Sequence, residues 1–340
     1  MLQIALVGCG VIAPQHIAAF AKQYERATLS VFCDLDMEKA DRARAHYEKL
    51  LGKSVGSRIV ASYEEVLADS TVDAVDLCLP HHLHAEYAIA AARAGKHILC
   101  EKPLANTLED CDRMIAAARE AGVVLFHGEN MRLDPVVNRA AELIREGRIG
   151  IVTGLQQTYA HWQPEAMNRG WRARPEEAGG GQLMDAAIHH VDILRHVGGE
   201  IVQVQAMTTQ HRPELGPESE DTGVLNFRFD RGHLGQLFAG HATRNRGGSP
   251  LLTVFGTEGS LTLEAFWPRR GLVWFPANNE PQVLIEHHHW QESFDAEIAH
   301  FLDVLLEGVP LRATPEEGRR NVEIILAAYT SARTGRLVEV

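Results

Sequence analysis

The sequence predicts an α/β doubly wound parallel sheet followed by a C-terminal α+β domain with an open, mostly antiparallel sheet. Two observations carry this. Over the first 150 residues, short apolar runs alternate with longer amphipathic ones. That strand–helix–strand rhythm forces parallel pairing with helices on both faces. After Gly150 the rhythm changes to successive short strand-like runs separated by Gly-containing turns. A length of 340 residues also suits two domains better than one. The expected division is 1–128 and 129–340, with the C-terminal helix free to pack back on the first domain.

In order, the strands of the first half fall at Gln3–Val7, Leu29–Cys33, Arg58–Ala61, Ala74–Leu79, His97–Cys100 and Val123–His127. Between and after them run the helical stretches Met37–Leu50, His84–Ala94, Leu108–Ala121 and Pro135–Glu146. In the second half a strand-like run, Ile151–His161, leads through a polar loop to one helix, Gln182–Val197. Alternating runs follow at Val202–His211, Gly223–Asp230, His233–His241, Leu251–Gly256, Ser260–Glu264 and Gly271–Phe275. Helices Ser293–Glu307 and Thr314–Thr334 close the chain, and Glu214–Glu220 and Gly247–Pro250 read as loops.

Composition bounds the function. Hydrophobic residues make up 45% and charged residues 23%, ordinary for a globular protein. No run approaches the roughly 20 apolar residues of a membrane helix, and Met1–Ile4 lacks the basic start of a signal peptide. The expectation is a cytoplasmic protein. Its net charge of −12 repels phosphate backbones and acidic headgroups, so neither nucleic acid nor membrane is an expected partner. Arg269-Arg270 and Arg319-Arg320 are too short to make a basic patch. The five cysteines form no C-x-x-C pair and read as reduced thiols.

The first strand ends in Gly8-Cys9-Gly10-Val11-Ile12-Ala13, a G-x-G-x-x-A string that opens a helix. Each small residue has a physical task. Gly8 permits the tight turn, Gly10 lets backbone amides approach a pyrophosphate, and Ala13 lets helix and strand pack closely. Asp34 ends the second strand 24 positions beyond Gly10. A carboxylate there accepts hydrogen bonds from a ribose 2′-hydroxyl and repels a 2′-phosphate, so the expected cofactor is NAD rather than NADP.

Two further stretches carry chemistry. Cys100-Glu101-Lys102-Pro103 puts a lysine at the carboxyl edge of the parallel sheet, where open α/β folds bind ligands. Gly179-Gly180-Gly181-Gln182-Leu183-Met184-Asp185-Ala186-Ala187-Ile188-His189 opens a helix on which Asp185 and His189, four apart, share a face. Asp192 and His196 continue that stripe, which as a bare pattern is also the wet side of a helix. Histidine is the side chain best suited to exchange a proton near neutral pH. Between the first second-domain strand and this helix lie Tyr159, His161, Trp162, Asn168, Arg169, Trp171 and Arg172. They form an aromatic and basic cluster able either to stack on sugar rings or to pack against the sheet. No metal is expected, since His287-His288-His289 on a strand would point to alternate faces and no His/Cys ligand spacing occurs.

Taken together, Gly8–Ala13, Asp34, Glu101-Lys102-Pro103 and the Asp185…His189 pair resemble the glucose–fructose oxidoreductase/inositol dehydrogenase (Gfo/Idh/MocA) family over essentially the whole chain. The resemblance implies an N-terminal Rossmann domain, an open antiparallel sheet behind it, and a homodimer or homotetramer. It assigns Lys102, Asp185 and His189 to catalysis, and Lys102, Trp171, Arg172, Asp185 and His189 to a small polyhydroxylated substrate lying over the nicotinamide. The cofactor set is Gly8, Gly10, Val11, Ile12, Asp34, Leu79, Pro80, His84, Glu101 and Lys102. The chain departs from the family at Leu79-Pro80-His81-His82-Leu83-His84, where a Thr-Pro-Asn segment is usual. In the implied chemistry His189 takes the proton of a hydroxyl whose carbon loses hydride, and Lys102 stabilises the alkoxide. Asp185 orients substrate or imidazole. Asn130 and Arg132 are candidates for the same cleft. Two alternatives stay open: net glycoside hydrolysis through transient oxidation, and a non-catalytic NAD-binding sensor.

Overall fold

The computed structural model describes residues 1–165, 170–212, 219–244, 250–266 and 269–340. Side chains of 265–270 lie outside the described set, and so do Asn168, Arg169 and most of the two loops expected at 214–220 and 247–250. The chain folds as two compact units, Met1–Leu133 with Ser293–Arg319, and Asp134–Glu292 with Arg320–Val340. Ser293–Arg319, which follows the boundary expected after 128, lies in the first unit.

The first unit is a six-stranded parallel sheet made of β1 (Leu2–Val7), β2 (Ala27–Cys33), β3 (Arg58–Val60), β4 (Ala74–Leu77), β5 (His97–Glu101) and β6 (Leu125–Gly128). Their order is β3-β2-β1-β4-β5-β6. The central strands are mainly apolar, as expected where helices cover both faces, with Asp76 of β4 the buried exception, and Ile4, Ala5, Leu6, Val75 and Leu77 are fully buried. Sequence chemistry sets the helix ends. Asp36 caps Met37–Leu51 by accepting from the amides of Glu38 and Lys39, at 3.1 and 3.3 Å, and Gly52 closes it in the left-handed region at φ 67°. Thr107 caps Leu108–Ala121 in the same way. The chain starts at the sheet centre, runs outward to β3 and returns to β4. Strand order therefore reverses between β1 and β4, where such sheets take their ligands.

The second unit is a nine-stranded sheet. Its strands are β7 (Val152–Ala160), β8 (Ile201–Thr209), β9 (Thr222–Phe229), β10 (Leu234–Gly240), β11 (Leu252–Gly256), β12 (Gly259–Phe266), β13 (Arg269–Pro276), β14 (Gln282–His289) and β15 (Val338–Glu339). They lie in the order β14-β13-β12-β11-β7-β10-β9-β8-β15, and among the described pairings only β7 with β10 is parallel. One face is buried through Leu155, Ala206, Leu225 and Leu237. The register puts Met207, Leu234 and Phe255 on the other face, where they are 76%, 55% and 42% exposed. Strand β14 was not anticipated. It alternates as a strand should, with His287 and His289 exposed and His288 buried. The expected helix Gln182–Val197 begins instead with a π turn, Leu183–Ala187, before α-helix Ile188–Gly198. The polar stripe along it is not a wet face. Asp192 is fully buried and accepts from Asn321 at 2.7 Å.

Candidate active site

In the first unit the glycine loop sits at the reversal between β1 and β4. Gly8 has φ 92°, and a Cβ placed there would lie 2.4 Å from the Cys78 carbonyl, so only glycine fits. Gly10 differs: a Cβ there would meet nothing within 4 Å, so no protein packing requires glycine at that point. Open space above loop amides at the start of helix Ala13–Lys22 fits a pyrophosphate cradle. Val11 beside it is 61% exposed, Ile12 is half-buried, and Ala13 is packed at 1% exposure. Asp34 ties the loop to the end of β2. One carboxylate oxygen accepts from the Cys9 amide and the other from the Asp36 amide, both at 2.8 Å. The remaining lone pairs of this half-buried carboxylate are those a ribose diol would meet.

Leu79 and Pro80 follow β4, half-buried. His84 was expected to turn its side chain to the cofactor. The structure buries it completely and engages both ring nitrogens with carbonyls, Nδ1 with Pro103 at 2.8 Å and Nε2 with Leu79 at 3.0 Å. Burial pushes its pKa down. His84 thus fastens the segment after β4 to the segment after β5. Lys102 is half-buried, and its amide donates to the Glu101 carboxylate at 3.1 Å.

Behind Glu101 lies a cluster the sequence did not reveal. His16 Nε2 is 2.9 Å from Glu101 Oε1, and His16 Nδ1 is 2.9 Å from Asp76 Oδ2. Burial alone would depress this imidazole, but the Asp76 carboxylate outweighs it, with help from Cys78, and holds the pKa well above its ordinary value. Glu297 is also fully buried, and neither carboxylate oxygen has a hydrogen-bond partner. Burial drives its pKa well up, and the nearby carboxylates Glu101, Asp76 and Glu129 add to the shift against the opposing His16. The site thus holds a buried imidazole between two carboxylates, which favours its protonated form, beside Glu297, whose burial favours the protonated carboxyl. The ligand atoms of His16, Asp76 and Cys78 lie within 4.8 Å of one another. Because both ring nitrogens already serve carboxylates, we read the group as an ion cluster. Burial disfavours the thiolate form of the cysteines. Burial pushes Cys9, Cys33 and Cys111 up to about 12.

In the second unit Asp185 stands on the π turn and His189 opens the following α-helix, both half-buried. The Arg172 guanidinium reaches Asp185 Oδ2 at 3.4 Å and lies 4.2 Å over the Trp171 ring. Sequence reasoning chose these two as the substrate-facing members of the aromatic cluster, and the geometry joins them to Asp185. The remaining members divide. Trp162 is stacked between Arg212 and Arg244, at 4.0 and 3.9 Å. Tyr159 packs on the His190 ring at 4.1 Å, and His161 on Tyr159 and on His241. Asn130 and Arg132, expected at the substrate, are buried in the first unit with Ser293 (2.6 Å) and Glu317 (3.0 Å) as partners.

Comparison with known proteins decides what these parts belong to. The family described as "Oxidoreductase family, NAD-binding Rossmann fold" matches residues 2–129, and the "GFO/IDH/MocA C-terminal domain" matches 137–262. The chain belongs to the GFO/IDH/MocA oxidoreductase family. This GFO/IDH/MocA chain is 34% identical over 340 residues to the 1,5-anhydro-D-fructose reductase of Ensifer adhaerens, with 98% of this chain and 97% of that one covered. It is 27% identical to the myo-inositol 2-dehydrogenase of Thermotoga maritima, covering 100% and 98%. A levoglucosan dehydrogenase solved with NADH and levoglucosan superposes with a TM-score of 0.87 at 26% identity, covering 100% and 99%. The protein is an NAD-dependent oxidoreductase, and its first unit is the NAD-binding Rossmann domain. No helix among the described residues is long and apolar enough to cross a membrane.

Proposed function

We propose that this oxidoreductase transfers a hydride between nicotinamide and the hydroxyl- or carbonyl-bearing carbon of a sugar or cyclitol. The observation that carries the reading is the Gly8–Ala13 loop at the β1/β4 reversal with Asp34 anchored at its edge. The sugar class is supported by relatives that reduce 1,5-anhydro-D-fructose or oxidise myo-inositol and levoglucosan. Bound NAD supplies the hydride acceptor.

The chain's own residues do the rest. His189 removes the hydroxyl proton as the carbon is oxidised and returns it in reduction. Lys102 places a cation beside the developing alkoxide, lowering the hydroxyl pKa. Asp185, held by Arg172, orients a neighbouring hydroxyl or the imidazole, and Trp171 offers a ring face to the sugar. Val11, Ile12, Leu79, Pro80 and Glu101 line the cofactor.

Self-association as a homodimer or homotetramer belongs to the same proposal. Met207, Leu234 and Phe255 expose apolar surface on one face of an open sheet, a surface better buried against a second copy. The five free thiols support a cytoplasmic, reducing location. The test is a panel of polyols, aldoses and sugar acids with NAD and NADP in parallel, followed by absorbance of reduced nicotinamide. No turnover of any polyol or aldose would sink the reading.

A further inference from the structure

A recess in the second unit is lined by Arg172, Gln182, Asp185, Ser219, Glu220 and His241. Two of these side chains stand out by what they lack. Gln182 is 2% exposed, yet neither its carboxamide oxygen nor its nitrogen has a hydrogen-bond partner. Ser219 is 4% exposed, and its hydroxyl is likewise unpartnered. Burying a carboxamide with two donors and an acceptor unused is costly, and folded proteins almost always pair such groups. Glu220 shows the contrast. Its carboxylate accepts from the Leu183 amide at 2.8 Å, the Gly181 amide at 3.1 Å and the Tyr329 hydroxyl at 2.9 Å, so it is engaged in holding the glycine turn.

We infer that this recess is a specificity subsite in which Gln182 and Ser219 bind a neutral hydroxyl of the substrate remote from the reacting carbon. The inference rests on the sugar reading above and narrows it. Gln182 lies three residues before Asp185 and seven before His189, so it extends the face that carries the proposed chemistry. The chemistry of the occupant follows from the lining. A carboxamide and a serine hydroxyl each donate and accept, which matches a hydroxyl that does both. A substrate carboxylate would only accept, and it would stand beside Asp185 and Glu220. The single guanidinium there, Arg172, is already committed to Asp185 and Trp171. Neutral aldoses and cyclitols are therefore preferred over the corresponding sugar acids.

The experiment pairs two variants, Gln182→Met and Ser219→Ala, with a set of singly deoxygenated analogues of whichever sugar the wild type turns over best. Thermal unfolding first establishes that each variant folds, and calorimetric titration of sugar into NAD-loaded protein gives affinity independently of turnover. Wild type should lose about tenfold in affinity and in kcat/KM for one deoxy position, the size of one hydrogen bond. Gln182→Met should lose a similar factor with the parent sugar, mainly in KM, and should no longer distinguish that deoxy analogue. Ser219→Ala should do the same to a smaller degree, and it carries the test if the Met variant fails to fold. Wild-type turnover with both variants unchanged in KM and in deoxy discrimination would overturn the subsite while leaving the sugar reading intact. So would a preference for the sugar acid. Wild type that neither binds nor oxidises any sugar would remove both.

Discussion

The imidazole of His16, on the helix that follows the glycine loop, lies 2.9 Å from the Glu101 carboxylate at the end of β5. Glu101 in turn accepts from the Lys102 amide, so the proposed catalytic lysine hangs from a buried ion cluster. Removing the imidazole would strand Asp76 and Glu101 as like charges without a cation between them. His16→Asn should cost about 3–5 kcal/mol of stability, the usual penalty for breaking a buried pair from one side. Chemical denaturation measures it. A loss under 1 kcal/mol would show that the two carboxyls simply take up protons instead.

The same cluster sets a pH dependence. Glu297 has a raised pKa in the folded state, so above the ordinary carboxyl value of 4.5 the native protein keeps a proton that the unfolded chain has released. Stability then falls as pH rises through that window, by up to about 1.4 kcal/mol per pH unit for one proton. His16 acts in the same direction. Its contribution is complete below 6.5 and is lost as pH rises toward its elevated folded value. Glu297→Gln removes one of these protons, so the stability difference between the two proteins should move in the variant's favour as pH rises above 4.5 in thermal melts. Parallel curves for the two proteins would show Glu297 to be ionised in the native state.

How much of this was legible beforehand divides by distance along the chain. The parallel sheet, the glycine loop and Asp34 were readable because apolar runs and turn residues signal locally. Strand β14 was missed because Gln282–His289 is largely polar and half-exposed, leaving no apolar alternation to read. The His16 cluster was invisible for another reason. Its members lie 60 and 85 residues apart, and a single buried histidine in an amphipathic helix looks like any other. His288 repeats the lesson in the second unit. Its two nitrogens bind Asp134 at 3.1 Å and Glu292 at 3.0 Å, a role that the triple-histidine string does not announce. Gln182 stood inside the quoted motif but had no chemistry attached until its burial and missing partners were seen.

The two loop glycines should separate folding from binding. At Gly8, alanine would need a left-handed φ and would drive its Cβ into the Cys78 carbonyl, so Gly8→Ala should destabilise the protein by roughly 1–3 kcal/mol or more. At Gly10 a methyl group meets no protein atom, so Gly10→Ala should melt within about a degree of wild type. If amides there cradle a pyrophosphate, that same methyl should weaken NADH binding tenfold or more. Fluorescence titration of NADH checks it, and full affinity in Gly10→Ala would place the cofactor's phosphates elsewhere.

Asp34 does two jobs, which makes its substitutions informative. Its carboxylate holds the Cys9 amide and, in the proposed site, repels a 2′-phosphate. Asp34→Asn keeps one acceptor, for the Cys9 amide, but loses the charge and turns its NH2 group toward the Asp36 amide. It should retain most of the stability while reducing the NAD-over-NADP ratio in kcat/KM by about tenfold, and Asp34→Ala should lower affinity for both. An unchanged ratio in Asp34→Asn would mean that shape, not charge, selects the cofactor.

The proposed proton-transfer pair makes the most demanding prediction. His189→Asn preserves a polar side chain but removes the proposed proton acceptor, so turnover should fall by about two to four orders of magnitude. Lys102→Met removes the cation and should lose a comparable factor through the alkoxide it no longer stabilises. Lys102 also belongs to the proposed cofactor rim, so its variant should weaken NADH severalfold, whereas His189→Asn should leave NADH affinity within about twofold of wild type. Turnover of His189→Asn within about tenfold of wild type would mean that the proton goes to another base and His189 only shapes the pocket.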